Sequence, residues 1–287
     1  MNIETLNSAF EKIKAKVEEE KLCLKVCGSY GIYLSNNYLV KNLIKNKLLS
    51  IEDDPVQKFF CDNYKAPRDI DFISTIRNKT VIERLFSELG YAKDNRFESI
   101  PGIKRSIFFS DDIKIDVFYD GFDFNHFINL TLRHSEFIKN NNAMSNVERI
   151  NTNGLTIPLT ELLLQKLQIV NLGMNDIASA WWLLKDTKIN NELSAHLDDG
   201  INLPLLKYYT SKDWGFYITV ESNLKHMQSV IQMAIGKVSL KEQTQNDVWK
   251  KLDTIRIELL NTKKTMKWKV RAIIGTSARW YNEVDDI

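Results

Sequence analysis

The stretch Arg68-Asp69-Ile70-Asp71-Phe72-Ile73 alternates polar and apolar side chains at a period of two, the pattern of a half-buried strand. Residues i and i+2 of a strand point to the same side. Asp69 and Asp71 therefore project their carboxylates together, while Ile70 and Phe72 anchor the opposite face in the core. Two adjacent anions want cations between them.

Upstream, Leu22 to Cys27 reads as a short strand, interrupted by Gly28-Ser29-Tyr30-Gly31 before Ile32-Tyr33-Leu34 opens a helix. Gly28 and Ser29, at this strand-to-helix turn, offer backbone N–H groups and a hydroxyl to phosphate oxygens, because a helix N-terminus already attracts anions. Downstream, Lys104 to Ser110 and Ile113 to Tyr119 predict a hairpin around Asp111-Asp112. On its second strand Lys114, Asp116 and Phe118 share one face, so a neighbouring strand could bring Asp116 to the same cluster. Three converging carboxylates make a hard, oxygen-only site suited to Mg²⁺ or Mn²⁺. Two such ions about 3.5 to 4 Å apart stabilise the attacking and leaving oxygens of an in-line phosphoryl displacement. Asp116 is the candidate for the acceptor-side ion. An Asp-x-Asp or a Gly-Ser turn alone occurs by chance on many solvated surfaces. Their order carries the reading: helix, strand ending in Gly-Ser, helix, strand with Asp-x-Asp, further strand with Asp.

Around this core, Leu6, Phe10, Ile13 and Val17 lay an apolar stripe along a first helix from about Glu4 to Glu20, and Val81 to Leu89 fits a helix ending at Gly90. Residues 35 to 66, with Leu39, Leu43, Leu48, Phe59 and Phe60, suggest one or two helices that pack or form a lid. After Pro158 the spacing of Leu162, Leu163, Leu164, Leu167, Ile169 and Val170, then of Ile177, Ala180, Trp181, Leu183 and Leu184, is helical. The expected organisation is α+β: a catalytic domain over 1–158 with a mixed sheet and flanking helices, then a mainly helical domain over 159–287. A single domain with a large helical annex is the alternative at 287 residues.

With 44% hydrophobic residues and few prolines and glycines, the chain can offset the entropy of ordering itself, which argues against disorder. No apolar run approaches the roughly 20 residues of a membrane span, and the N-terminus carries no apolar signal segment, so a cytoplasmic protein is expected. Cys23, Cys27 and Cys61 are an odd number, and the four histidines are scattered. Buried reduced thiols are expected rather than a disulfide frame or a zinc site. Net charge is only +2, yet Lys250 to Trp280 holds nine basic residues against Asp253 and Glu258. Within it Lys267-Trp268-Lys269-Val270-Arg271 and Arg279-Trp280-Tyr281 interleave basic and aromatic side chains, a combination that can hold the phosphates and stack the bases of an RNA acceptor. The plainer reading is an amphipathic helix whose aromatics are core, as Trp181, Trp182 and Trp214 are expected to be.

The ordered set VCGSYGIYL (26–34), RDIDFIS (68–74) and IKIDVFYD (113–120) resembles the three motifs of the DNA polymerase beta-like nucleotidyltransferases. IPLTELLLQKLQIVNLGMNDIASAWWLL (157–184), DWGFYITVESNL (213–224) and KWKVRAIIGTSARWYNE (267–283) look like segments of uncharacterised prokaryotic nucleotidyltransferases, distantly similar to abortive-infection type toxins. The resemblance implies a small mixed sheet with helices on one side. It also implies metal binding by Asp69, Asp71 and Asp116, with Lys166 contacting nucleotide phosphates and Asp176 as the acid that follows. Two departures stand out: 41 positions separate Gly28 from Asp69, more than in compact members, and Ser179 stands where relatives often carry a second acid. Without the resemblance, Lys166 reads as a snorkelling lysine on a helix flank and Asp176 as an N-cap or first-turn acid. Arg68 is a counter-ion or a phosphate contact, on the other face of an ideal strand.

The expected activity moves a nucleoside monophosphate from a nucleoside triphosphate to an acceptor hydroxyl, releasing pyrophosphate. An RNA or tRNA end ranks first as acceptor, ahead of a small molecule and a protein hydroxyl. The competing expectation is a non-catalytic nucleotide-binding or toxin-antitoxin interaction protein that keeps the fold, against which the three intact aspartates count. A DNA polymerase is disfavoured by the missing helix-hairpin-helix glycines.

Overall fold

The computed structural model describes residues 3–35, 55–97, 104–110, 113–133, 148–151, 154–191, 200–236 and 246–283. The expectations at Leu39, Leu43 and Leu48 and at the Asp111-Asp112 turn lie outside the described residues. The fold is α+β, with a mixed sheet and flanking helices. The chain divides into two compact units that interleave in sequence: the described residues of Met1–Ser35, Ala66–Phe122 and Ile128–Pro158 form the first, and those of Asn36–Lys65, Asp123–Phe127 and Leu159–Ile287 the second.

In the first unit, α1 (Ile3–Glu19) buries Leu6, Phe10 and Ile13 along its apolar stripe. After β1 (Leu24–Cys27) the chain enters α2 (Gly28–Ser35) directly. The helix thus begins four residues before Ile32, where the sequence pattern opened it. Gly28 makes this possible, since its φ of +65° lets the backbone swing from extended to helical with no spare loop. Next in chain order, α3 (Pro55–Asn63) belongs to the second unit. The first unit continues with β2 (Asp69–Ser74), α4 (Lys79–Glu88), β3 (Ala92–Lys93), β4 (Arg105–Ser110) and β5 (Ile113–Tyr119).

The five strands lie in the order β1-β2-β5-β4-β3. β2 and β5 are parallel neighbours, and the other pairs are antiparallel. A parallel pair cannot be closed by a tight turn, and here α4, β3 and β4 supply the crossover between β2 and β5. Phe86 of α4 packs against Phe108 of β4 and Phe72 of β2, with ring centroids 4.6 and 6.1 Å apart, so Ile70, Phe72 and Phe108 face a buried aromatic core. β2 departs from simple alternation at its end, where Ile73 and Ser74 are also buried, and β5 is buried on both faces from Ile115 to Tyr119. The outer side of β1 is occupied: Val26 N donates to Leu155 O and Ile157 N donates to Val26 O, each at 2.9 Å. β6 (Gly121–Asp123) and β7 (Phe127–Asn129) form a separate two-stranded pair.

The second unit is mainly helical. It contains α3, α5 (Leu159–Leu167), α6 (Met174–Lys185), the short parallel pair β8 (Ile189–Asn190) and β9 (Ile201–Asn202), α7 (Leu203–Lys212), α8 (Trp214–Ile235), α9 (Asp247–Asn261) and α10 (Met266–Ile274). α5 is buried all round from Thr160 to Leu167 rather than along one stripe, the signature of a core helix. It stops there, so Ile169 and Val170 fall beyond it, and Asn223 of α8 donates to the carbonyls of Leu167 and Ile169. Phe60 stacks on Trp181 at 4.6 Å, Trp181 meets Trp182 edge-on at 4.8 Å, and Trp181, Trp182 and Trp214 are buried as expected. α10 differs from the amphipathic-core expectation, for none of its residues is buried. Its Met266, Val270, Ile273 and Ile274 are exposed.

No helix among the described residues is long and apolar enough to cross a membrane. The three cysteines are free thiols. Cys27 is buried; Cys23 and Cys61 are half-buried.

Candidate functional site

The register of the sheet assembles the acidic cluster. Asp71 pairs with Asp116 across the parallel β2–β5 ladder, and Asp69 pairs with Lys114. In-register residues of neighbouring strands point to the same face, so Asp69, Asp71 and Asp116 converge on the side opposite Ile70, Phe72, Ile115 and Val117. One carboxylate oxygen from each aspartate lies within 4.8 Å of the other two. Asp116 is buried at 3% exposure, whereas Asp69 and Asp71 are half-buried. Three carboxylates at such spacing repel by roughly 3 kcal/mol per pair at an effective dielectric constant near 20, so cations belong among them.

Protein cations meet part of this demand. Arg105 of β4 reaches Asp116 with two hydrogen bonds, Nη2 to Oδ2 at 2.8 Å and Nε to Oδ1 at 3.3 Å, and Lys114 Nζ stands 3.2 Å from Oδ2. The antiparallel register pairs Arg105 with Phe118 and Ile107 with Asp116, which makes Arg105 the diagonal neighbour of Asp116 on the same face. Sequence reading placed Lys114 on this face and missed Arg105. The signal lies in the register: Ser110 pairs with Ile113, and counting back along both strands sets Arg105 diagonal to Asp116.

Gly28 closes the other side. β1 pairs Cys27 with Asp71, and the next residue turns over that carboxylate. A Cβ built on Gly28 would overlap Asp71 Oδ2 and come within 2.9 Å of its Cγ. Glycine is required here twice over, by the close approach and by the positive φ. Ser29, half-buried, follows in the first turn of α2. The donor set fits a hard divalent ion: three oxygen ligands from two strands, with one edge kept clear of side chain by Gly28.

Lys166 sits in the other unit, in α5. It is buried at 7% exposure rather than snorkelling to solvent, and its ammonium donates to Asp176 Oδ1 at 2.7 Å. Asp176 lies in the first turn of α6, whose N-cap is Gly173. Ser179 is buried and donates to Asn175 O. Arg68 is exposed and precedes the first residue of β2.

No family model matches the sequence, and no curated protein is significantly similar to it. Among solved structures, the solution structure of the antibiotic-resistance factor ANT(2'')-Ia is similar over 77% of this chain and 98% of that one, at 13% identity and a TM-score of 0.39.

Proposed function

We propose that the chain is a metal-dependent nucleotidyltransferase that moves a nucleoside monophosphate from a nucleoside triphosphate to an acceptor hydroxyl. The carrying observation is the convergence of Asp69, Asp71 and Asp116 on one face of two parallel strands, with Gly28 turned over Asp71. The chemistry is assigned to the segment 1–158, and the polymerase beta-like resemblance of its three motifs supports the same reading.

Asp69, Asp71 and Asp116 would hold Mg²⁺ or Mn²⁺, which supplies positive charge to the phosphate oxygens and favours ionisation of the acceptor hydroxyl. Gly28 lets the α2 N-terminus approach that site closely, and the backbone there and the Ser29 hydroxyl would receive triphosphate oxygens. The acceptor hydroxyl gives its proton to solvent, its oxygen bonds to the α-phosphorus, the bond from that phosphorus to the α–β bridging oxygen breaks, and pyrophosphate leaves with the electron pair. Arg105 and Lys114 orient Asp116 on the acceptor side. Because there is little covalent chemistry for a protein to perform in such a transfer, placement and charge carry the rate. Lys166 is proposed as a phosphate contact on the strength of the resemblance alone.

The test is incubation with each α-labelled nucleoside triphosphate, Mg²⁺ or Mn²⁺ and total cellular RNA, beside Asp69→Ala and Asp71→Ala, followed by denaturing electrophoresis. Label transfer that needs both aspartates is expected, with both variants folded and deficient in metal-dependent triphosphate binding. Parent-like Mg²⁺-triphosphate binding by both variants would place the chemistry elsewhere. Binding without pyrophosphate release for RNA, small-molecule or protein acceptors would make this a nucleotide-binding protein.

A further inference from the structure

A cavity of about 420 Å³ opens in the helical unit, lined by residues 125–127, residues 212–215 and the tail from Lys267 to Asn282. Its volume is that of a small-ligand site. Four wall residues are cationic, Lys212, Lys267, Arg271 and Arg279, against one carboxylate, Asp213. That carboxylate is already committed to capping α8, where it accepts from Phe216 N at 3.0 Å. Arg271 meets neutral acceptors, Gly275 O at 2.6 Å, Ala278 O at 2.7 Å and Arg279 O at 3.2 Å, so its charge is retained. Lys267 is exposed and has no carboxylate partner among the described residues. Arg279 pairs with Glu283 at 2.6 Å, an exposed pair that water and salt weaken.

The remaining walls are aromatic. Trp268, Trp280 and Tyr281 are half-buried, and the Trp268 indole N–H, shielded from solvent, has no acceptor among the described residues. The wall is also fixed in place. Asn282 N donates to Asn125 O at 2.9 Å, Asn125 Nδ2 donates to Asn282 O at 2.8 Å, and Trp280 Nε1 donates to Thr219 Oγ1 at 3.2 Å. A Cβ on Gly215 would overlap Trp280 O, so the tail lies directly on the first turn of α8. Walls held this way do not have to be ordered when a ligand arrives.

Cations beside indole and phenol rings suit a ligand that carries phosphates and flat bases. Exposed Lys263 and Lys269 extend the positive charge along the tail beyond the cavity, which favours a polymer over a free nucleotide. Bases paired in a duplex present no free face to the rings, so the polymer is single-stranded. We propose that this cavity seats one nucleotide of a single-stranded nucleic acid, with phosphates against Lys267 and Arg279 and a base against the tail tryptophans. This binding stands independently of the transferase reading.

The measurement is fluorescence anisotropy of labelled single strands of about 12 nucleotides, RNA and DNA of one mixed sequence, titrated with the full chain carrying Asp69→Ala. A duplex of the same sequence runs in parallel. Saturable binding of single strands is expected at about 50 mM salt. The double variant Lys267→Glu/Arg279→Glu, changed only at exposed positions, should bind roughly ten-fold or more weakly, and its log Kd against log salt should lose about 0.7 in slope per phosphate contact removed. Whichever strand binds more tightly identifies the source. The proposal is overturned if the parent binds no single strand, if the variant binds like the parent, if duplex binds as tightly, or if a free mononucleotide displaces the strand at equal concentration. Strand binding, with no pyrophosphate release by the chain with Asp69 intact on RNA, small-molecule or protein acceptors, would sink the transferase reading and leave this site standing. Transfer to a small acceptor without strand binding would do the reverse.

Discussion

Replacing Gly28 by alanine separates two demands that meet at one residue. A left-handed backbone costs an L-residue about 1 to 2 kcal/mol, and φ at Gly28 is +65°. The added methyl would also overlap Asp71 Oδ2 and stand 2.9 Å from Cγ. Asp71 must then leave its rotamer, at about 0.5 to 1.5 kcal/mol. Together these predict a loss of about 1.5 to 3.5 kcal/mol, or roughly 3 to 14 °C in Tm at the 2 to 4 °C per kcal/mol typical of chains of this size. Gly90→Ala is the matched control: φ there is +84°, and nothing lies within 4 Å of the added Cβ, so only the backbone cost applies. The distinguishing readout is functional. A carboxylate displaced by about 1 Å costs on the order of 100-fold in turnover, so Gly28→Ala should lose metal-dependent triphosphate binding and transfer, while Gly90→Ala keeps both. Calorimetric titration of Mn²⁺ with triphosphate and thermal unfolding of both variants decide the matter. If Gly28→Ala bound Mn²⁺-triphosphate like the parent, or fell in Tm no further than Gly90→Ala, the contact with Asp71 would have no part in the site.

Arg105→Leu removes the bidentate partner of a buried carboxylate and should cost about 2 kcal/mol, less than the 3 to 5 kcal/mol of a fully stranded charge because Lys114 remains. Added Mn²⁺ should raise the Tm of that variant more than it raises the parent's; equal shifts would show that Asp116 does not share a cation site with the other aspartates. Burial pushes the His126 imidazole from its ordinary 6.5 down to about 4, against the opposing pull of Asp213, and its Nε2 lies 2.9 Å from Thr219 Oγ1. The unfolded chain therefore takes up a proton that the folded chain refuses between pH 6.5 and about 4. The contribution is fully present above pH 6.5 and falls away toward pH 4, by on the order of 3 kcal/mol. Urea unfolding at pH 7 and pH 5 should show a smaller difference for His126→Gln than for the parent, and an unchanged difference would remove His126 as its source.

Most of the acidic site was legible because its information is local. Asp69, Asp71 and Asp116 sit in short strands whose alternation states which side each residue takes. The direct β2–β5 pairing was only an allowed arrangement from the sequence, since strand order depends on contacts between distant segments. Arg105 escaped notice because its partner is on another strand and becomes a neighbour only once the register is drawn. The inward turn of Lys166 was not legible for a related reason. A lysine on an apolar helix can reach for water or turn inward, and the choice depends on whether an acid waits across the turn, as Asp176 does. The solvent position of α10 was illegible in a stronger sense: its pattern fits a helix that covers a core, and nothing in the pattern says whether a partner is present.

The parallel pairing of β2 with β5 also bears on how the molecule folds. Asp116 joins Asp69 and Asp71 only once the crossover through α4, β3 and β4 has closed. A slip of one residue between the two strands would send Asp116 to the aromatic side of the sheet. Ion capture therefore reports the correct completion of the sheet, and in a refolding experiment it should emerge with the last and slowest phase.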